Sequence, residues 1–174
     1  DLECFRLETP LEDPSRRTIG FPYRREAFKG TATATRALEI VRERHGGEIE
    51  VWAFGARRTP ILPKWVRYHP APSDVELRRL YNESAIFVTA SEYEGWGLPG
   101  SESMACGAAL VSTDNGGVRA YAADGSTALL SPPGDAEGLA KNILALLLDR
   151  DRRIEIASRG HDHIQQFTWQ RAVD

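Results

Sequence analysis

Two carboxylates and two cations stand where this chain could act on a charged ligand. Glu94 and Glu102 are separated by seven residues, and the run between them contains Gly95, Gly97, Pro99 and Gly100. The apolar, β-favouring stretch 85–90 precedes that run, and 101–106 reads as a short helix after it. Strand, glycine-rich loop and helix in that order set backbone amides and a helix dipole against whatever binds above them, and both favour an anion. Glycines let the backbone approach such a ligand closely. On this reading Glu102 lies in the first turn of the helix, where the dipole keeps its carboxylate ionised. It is then fit to accept hydrogen bonds from a vicinal diol such as a ribose. Glu94 lies in the loop itself, close to where a phosphate-linked group would sit. Taken singly, each reads as a solvated or helix-stabilising glutamate; the spacing, the loop and the strand together favour a site.

The second set is Arg24 to Gly30, Arg-Arg-Glu-Ala-Phe-Lys-Gly, which follows the first strand and opens the first helix. Lys29, beside Gly30 at the helix start, is placed to meet a phosphate. Arg24, five residues earlier, offers a fork of donors to the same group. Arg25 reads as an ordinary surface cation. Other titratable groups read as structure. Asp149-Arg150-Asp151 is a literal Asp-x-Asp, the pattern of metal-dependent transferases, but it lies between two helices and reads as a cap. His161 and His163, two apart, point to different sides of a helix, and His45 sits near a helix C-terminus, so the histidines give no metal signal. Cys106 reads as a packed thiol.

The elements that must position these groups alternate. Strands are expected at 18–21, 49–54, 65–68, 85–90, 110–113 and 128–130. Helices are expected at 31–44, from a Ser73 cap to about Glu83, at 101–106, from an Asp135 cap to Leu148, and at 152–167. The alternation implies an α/β fold, a Rossmann-like doubly wound parallel sheet of about six strands with helices on both faces. The strand at 85–90 opens its second half, and the C-terminal end of that strand is the switch point where ligands bind. Residues 1–17, polar and carrying Pro10 and Pro14, read as a lead-in linker. Residues 18–174 read as the domain, its last element cut off at Thr168-Trp169-Gln170.

Composition narrows the classes. A chain of 174 residues holds one domain with a real core. A net charge of −3 without a basic run excludes a nucleic-acid partner. The apolar stretches are strand-sized, so no membrane span is expected. The chain opens on Asp1, and no charged start precedes an apolar region, which reads as the lack of a signal peptide. Cys4 and Cys106 are two isolated thiols, as in a reducing compartment, so the expected location is cytoplasmic.

At this point the residues resemble a family. Glu94-Gly-Trp-Gly-Leu-Pro…Glu102 resembles the E-x7-E signature of the retaining family 4 glycosyltransferases of the GT-B fold. Phe28-Lys29-Gly30 resembles their phosphate-binding Lys-Gly. Asn115-Gly116-Gly117, Asp124-Gly125, Pro132-Pro133-Gly134-Asp135 and Phe167-Thr168-Trp169 match later landmarks in the same order, so the resemblance covers about residues 18–174. It implies one half of a GT-B fold: the C-terminal domain that binds a nucleotide diphosphate sugar, its acceptor-binding N-terminal domain lying outside this sequence. It also implies residue roles. Lys29 and Arg24 would stabilise the diphosphate and its charge as a leaving group. Glu94 would contact the donor sugar, and Glu102 would hold the ribose hydroxyls. The amides of Gly97 and Leu98, in the loop with Gly95 and Pro99, would line the sugar site. The loop from His69 to Ser73 would lie near the base. No metal and no other cofactor is implied, because lysine and arginine replace the cation. The implied setting is glycan or polysaccharide assembly, with peripheral attachment of the whole enzyme to the inner membrane face.

The sequence departs from the family at several positions. Gly20-Phe21-Pro22-Tyr23 stands where Gly-Arg is frequent, so the arginine role falls to Arg24 or Arg25. Ser103 and Ala108 replace a usual alanine and proline, Ala120 replaces a frequent glutamate, and Trp96 replaces a common phenylalanine. Two rival readings stand beside this one. Gly95, Gly97 and Gly100 spell G-x-G-x-x-G with Asp114 beyond the next strand, as in NAD-type oxidoreductases. Against it, residues 91–94 separate the first glycine from the strand, the helix at 101–106 is short, and the motif follows the fourth strand, not the first. The other rival is a sugar-nucleotide-binding module without turnover, against which both glutamates and Lys29 are present.

Overall fold

A computed structural model describes residues 2–56 and 60–167. Its six strands are β1 (Thr18–Pro22), β2 (Glu50–Gly55), β3 (Val66–Pro70), β4 (Ser84–Thr89), β5 (Ala109–Thr113) and β6 (Ala128–Ser131). The helices are α1 (Thr31–His45), α2 (Asp74–Glu83), α3 (Leu98–Ala105), α4 (Ala136–Leu148) and α5 (Arg150–Ile164). All strand pairs are parallel, in the order β3-β2-β1-β4-β5-β6. The order reverses between β1 and β4, so the loops after these two strands face each other across the switch point.

The strands fall within one residue or two of the expected positions, because a sheet covered on both faces demands runs of apolar residues. All six residues of β4 are buried. Ile19, Phe21, Val51, Ala53, Ile86 and Val88 point to one face, under α1 and α4. Trp52, Phe54, Phe87 and Leu110 point to the other, against α2 and α3. The helix starts follow local chemistry. Ser73 Oγ accepts from the Glu76 amide, Asp135 Oδ1 from the Gly138 amide, and Asp149 Oδ1 from the Arg152 amide. Asp149 therefore caps α5, which begins two residues before its expected start. Thr168 and Trp169 of the last landmark lie outside the described residues. No helix among the described residues is long and apolar enough to cross a membrane.

Residues 2–17, expected to be a lead-in linker, carry no helix or strand but pack onto the domain. Phe5 meets the Tyr81 ring edge-on at 5.8 Å. Asn82 Oδ1 accepts from the amides of Glu8 and Thr9. Arg16 is buried, and its guanidinium donates to the carbonyls of Thr9 (2.6 Å), Cys106 (2.7 Å) and Ser84 (3.2 Å). Burial pushes its pKa down to about 10, so it is still charged at neutral pH. A polar segment looks like a linker in sequence because its anchors are backbone carbonyls and one arginine, not an apolar stripe. Arg16→Met should lower unfolding free energy by about 3 kcal/mol, since several buried carbonyls lose a charged donor. Denaturant titration checks this; a loss below about 1 kcal/mol would mean that the segment is not held by Arg16.

Candidate functional site

The loop after β1 and the loop after β4 are stitched together. The Glu92 amide donates to the Phe28 carbonyl at 2.7 Å. Gly30 lies so close to β4 that a Cβ there would stand 1.8 Å from the Ala90 carbonyl oxygen. Thr31 closes the β1 loop, its hydroxyl donating to the Arg24 carbonyl while accepting from the Arg24 amide. These contacts bring Lys29 and Glu94 together from positions 65 residues apart. Lys29 Nζ donates to both carboxylate oxygens of Glu94, at 2.8 Å each. The two side chains are 28% and 19% exposed, so the pair is partly shielded yet open to solvent at the switch point. The Glu94 amide donates to the Asn115 carbonyl, and Gly117 packs against the Glu94 carbonyl, so the Asn-Gly-Gly landmark forms the floor of the Glu94 loop.

The glycine-rich run differs from expectation in one respect that matters. Helix α3 begins at Leu98, three residues early, with Gly97 as its cap and Pro99 in its first turn. Proline favours that position because its missing N–H has no acceptor there anyway. Glu102 is consequently in the second turn, not the first, and the dipole does not govern it. Burial raises its pKa above the ordinary 4.5, which outweighs a hydrogen bond accepted from Tyr81 and the weaker pull of Arg24. The expectation of a first-turn carboxylate kept ionised by the helix dipole is corrected: Glu102 is an acceptor held in a desolvated corner. Sequence alone did not single out Tyr81; its signal was a buried phenol on the apolar face of α2, which must find an acceptor.

The sign of the pH dependence follows. Because the folded pKa of Glu102 lies above the unfolded one, the folded state binds more protons between the two values, and stability falls as pH rises through that window. The penalty is absent below about pH 4.5 and complete above the folded pKa. Glu102→Gln, which still accepts from Tyr81, should be more stable than the native chain at pH 7. Its advantage should shrink as pH falls toward 4.5. Thermal melts from pH 4.5 to 8 test this; a constant advantage would remove Glu102 as the titrating group.

The other predicted residues lie around this centre. Arg24 is half-buried, its guanidinium 5.4 Å from the Phe54 ring, whereas Arg25 is exposed. His69 lies within β3, one residue before its end and paired with Phe54 and not in the loop expected for it, its Nδ1 3.1 Å from Glu76 and its buried Nε2 without a partner among the described residues. Ser73 is spent on capping α2. Leu98 is 54% exposed at the mouth of the site, and its amide is the first of α3, where no intrahelical acceptor exists. The space beside Gly95 is open. Trp96 donates to Ser101 Oγ and packs against Tyr121 and Phe167, while the Tyr121 hydroxyl donates to the Gly97 carbonyl. Asp114, the ribose ligand of the dinucleotide reading, instead accepts from Arg119 Nε and Nη2, at 3.0 and 2.7 Å.

A wide depression of about 760 Å³ lies at the opposite edge of the sheet, among Thr18, Arg42, Glu48, Glu50, Trp65 and Arg67. It is a poor phosphate site. The C-terminal, negative end of α1 abuts it, and Glu48 and Glu50 add to that charge.

The fold is a Rossmann-like domain of the GT-B type, with its glycine-rich loop at the switch point. The chain belongs to the family described as glycosyl transferases group 1, which residues 11–163 match. It is 30% identical over 172 residues to D-inositol 3-phosphate glycosyltransferase of Corynebacterium aurimucosum, covering 90% of this chain and 41% of that protein. The chain thus spans about two fifths of that relative's length. The C-terminal domain of a glycosyl transferase group 1 family protein, LpcC of Francisella tularensis, superposes with a TM-score of 0.79 at 23% identity, over 95% of this chain and 96% of that one. Anabaena Alr3699/HepE in complex with UDP-glucose superposes with a TM-score of 0.78 at 18% identity, over 95% of this chain and 50% of that one. In fold, the chain corresponds to that C-terminal domain.

Proposed function

We propose that this chain is the donor-binding domain of a retaining, metal-independent glycosyltransferase. The whole enzyme moves a sugar from a nucleotide diphosphate sugar to a glycan or other acceptor, in the cytoplasm. The observation that carries the reading is the Lys29–Glu94 pair at the switch point, open to solvent and supported by two loops stitched to each other. It supplies one cation for a diphosphate and one carboxylate for sugar hydroxyls, side by side. Glu102, on the next helix, is an acceptor suited to a ribose. The UDP-glucose complex of the similar Anabaena fold is consistent with this use of the site.

In the reaction, the bond from the sugar's anomeric carbon to the diphosphate oxygen breaks, a bond to the oxygen of an acceptor hydroxyl forms on the same face, and that hydroxyl's proton passes to the departing diphosphate. Lys29, with Arg24, neutralises the charge that gathers on the departing diphosphate, which is where positive charge lowers the barrier most. Glu94 orients the sugar.

The test is calorimetric titration of the purified chain with UDP, GDP, dTDP, ADP and NAD, without magnesium and then with it. Binding of one nucleoside diphosphate without magnesium is expected, with no signal from NAD and no sugar transfer by this chain alone. Binding of NAD alone would replace the reading with a dinucleotide-binding one, and transfer by the isolated chain would remove the need for an acceptor domain.

A further inference from the structure

Glu94 does not depend on Lys29 alone. Its Oε1 also accepts from Ser91 Oγ at 2.8 Å, and Ser91 is 5% exposed. Ser91 ends a buried row of hydroxyl residues. Thr89 Oγ1 donates to Ser112 Oγ at 2.7 Å, Ser112 Oγ donates to the Thr113 carbonyl at 2.8 Å, and Thr113 Oγ1 donates to the Ser91 carbonyl at 2.5 Å. All four lie at the C-terminal ends of β4 and β5, next to apolar Val88 and Val111. Burying hydroxyls costs free energy that apolar residues would not, and a hydrogen bond made by each offsets it. The Ser112 and Thr113 hydroxyls end on backbone carbonyls, which a structural role explains, whereas the Ser91 hydroxyl ends on a carboxylate at the switch point, which it does not.

We propose that Ser91 is a positioning residue which, rather than Lys29, fixes the direction of the Glu94 carboxylate once a diphosphate is bound. The inference rests on the nucleotide-sugar reading of the site. Its ground is competition for one ammonium. In this structure Lys29 serves both oxygens of Glu94. A diphosphate carries more charge than a carboxylate and draws the ammonium toward itself, and the flexible lysine stem lets it move. Ser91 has a one-carbon side chain on a buried, hydrogen-bonded backbone and cannot follow. Glu94 stays aimed at the sugar while its cation is shared.

Two experiments test this. In a ligand-free crystal structure of Lys29→Met, which mimics the withdrawn ammonium, the Glu94 carboxylate should remain within hydrogen-bond distance of Ser91 Oγ. A carboxylate swung away would overturn the proposal whatever the ligand is. Ser91→Ala should then be titrated with UDP and UDP-glucose, GDP and GDP-mannose, ADP and ADP-glucose. The affinity for the nucleotide sugar should fall about tenfold, and that for the bare diphosphate by less than about twofold. Equal losses for both would overturn it. A native chain that binds none of the six refutes the nucleotide-sugar reading, and the Lys29→Met structure still decides whether Ser91 holds Glu94.

Discussion

Lys29→Ala is expected to weaken nucleoside diphosphate binding by about a hundredfold while leaving the bare nucleoside within about twofold. Two effects add. A hydrogen bond between charged groups contributes about 1.5–3 kcal/mol. The variant also leaves the Glu94 carboxylate, 19% exposed, without its cation and facing the incoming phosphates. Like charges in a partly desolvated site repel, so the loss exceeds that of one bond. The effect on folding should be far smaller, because a solvent-open ion pair contributes about 0–1 kcal/mol. Parallel titrations with diphosphate and nucleoside, and a melt of the variant, separate these statements. Equal losses for nucleoside and diphosphate would remove Lys29 from the phosphate site.

The second large effect is expected at the neighbouring residue. Gly30 caps α1 with φ at 68°, and its would-be Cβ stands 1.8 Å from the Ala90 oxygen and 2.4 Å from the Ala90 carbonyl carbon. The obstacle is backbone at the end of a fully buried strand, so it cannot swing aside as a side chain would. Gly30→Ala should therefore cost about 3–4 kcal/mol, lowering the melting temperature by roughly 10 °C for a chain of this size. Gly125, with φ at 73° and nothing within 4 Å of its would-be Cβ, is the control. Gly125→Ala carries the backbone penalty alone, about 1–2 kcal/mol. Similar costs at both positions would mean that the approach to Ala90 does not matter. Gly30→Ala should also weaken diphosphate binding, because the two loops part and Lys29 moves off Glu94; Gly125→Ala should not.

The sequence carried the elements well wherever the determinant was local. Ser73, Asp135 and Asp149 each cap a helix through an amide three residues on, a signal contained within four positions. The strands announced themselves as apolar runs because both faces of the sheet are covered. The start of α3 is hidden in the sequence because Leu98-Pro99-Gly100 reads as loop by composition, while Pro99 suits a first helical turn. The packing of residues 2–17 was missed because Arg16 and Asn82 hold that segment through backbone carbonyls and amides, which leave no hydropathy pattern.

What the sequence by itself determined is the class of the molecule: a parallel α/β sheet, a glycine-rich loop after its fourth strand, and the motif order of a glycosyl transferase group 1 domain. These rest on periodicity and short spacings, which a linear chain displays in full. The tertiary structure alone decided that Lys29 neutralises Glu94, that Ser91 and Tyr81 brace the two glutamates, and that Glu102 sits in a desolvated corner and not at an open helix end. Each of those depends on which backbone approaches which across the switch point, and on how much water the approach removes. Neither quantity is a property of neighbouring residues in the chain.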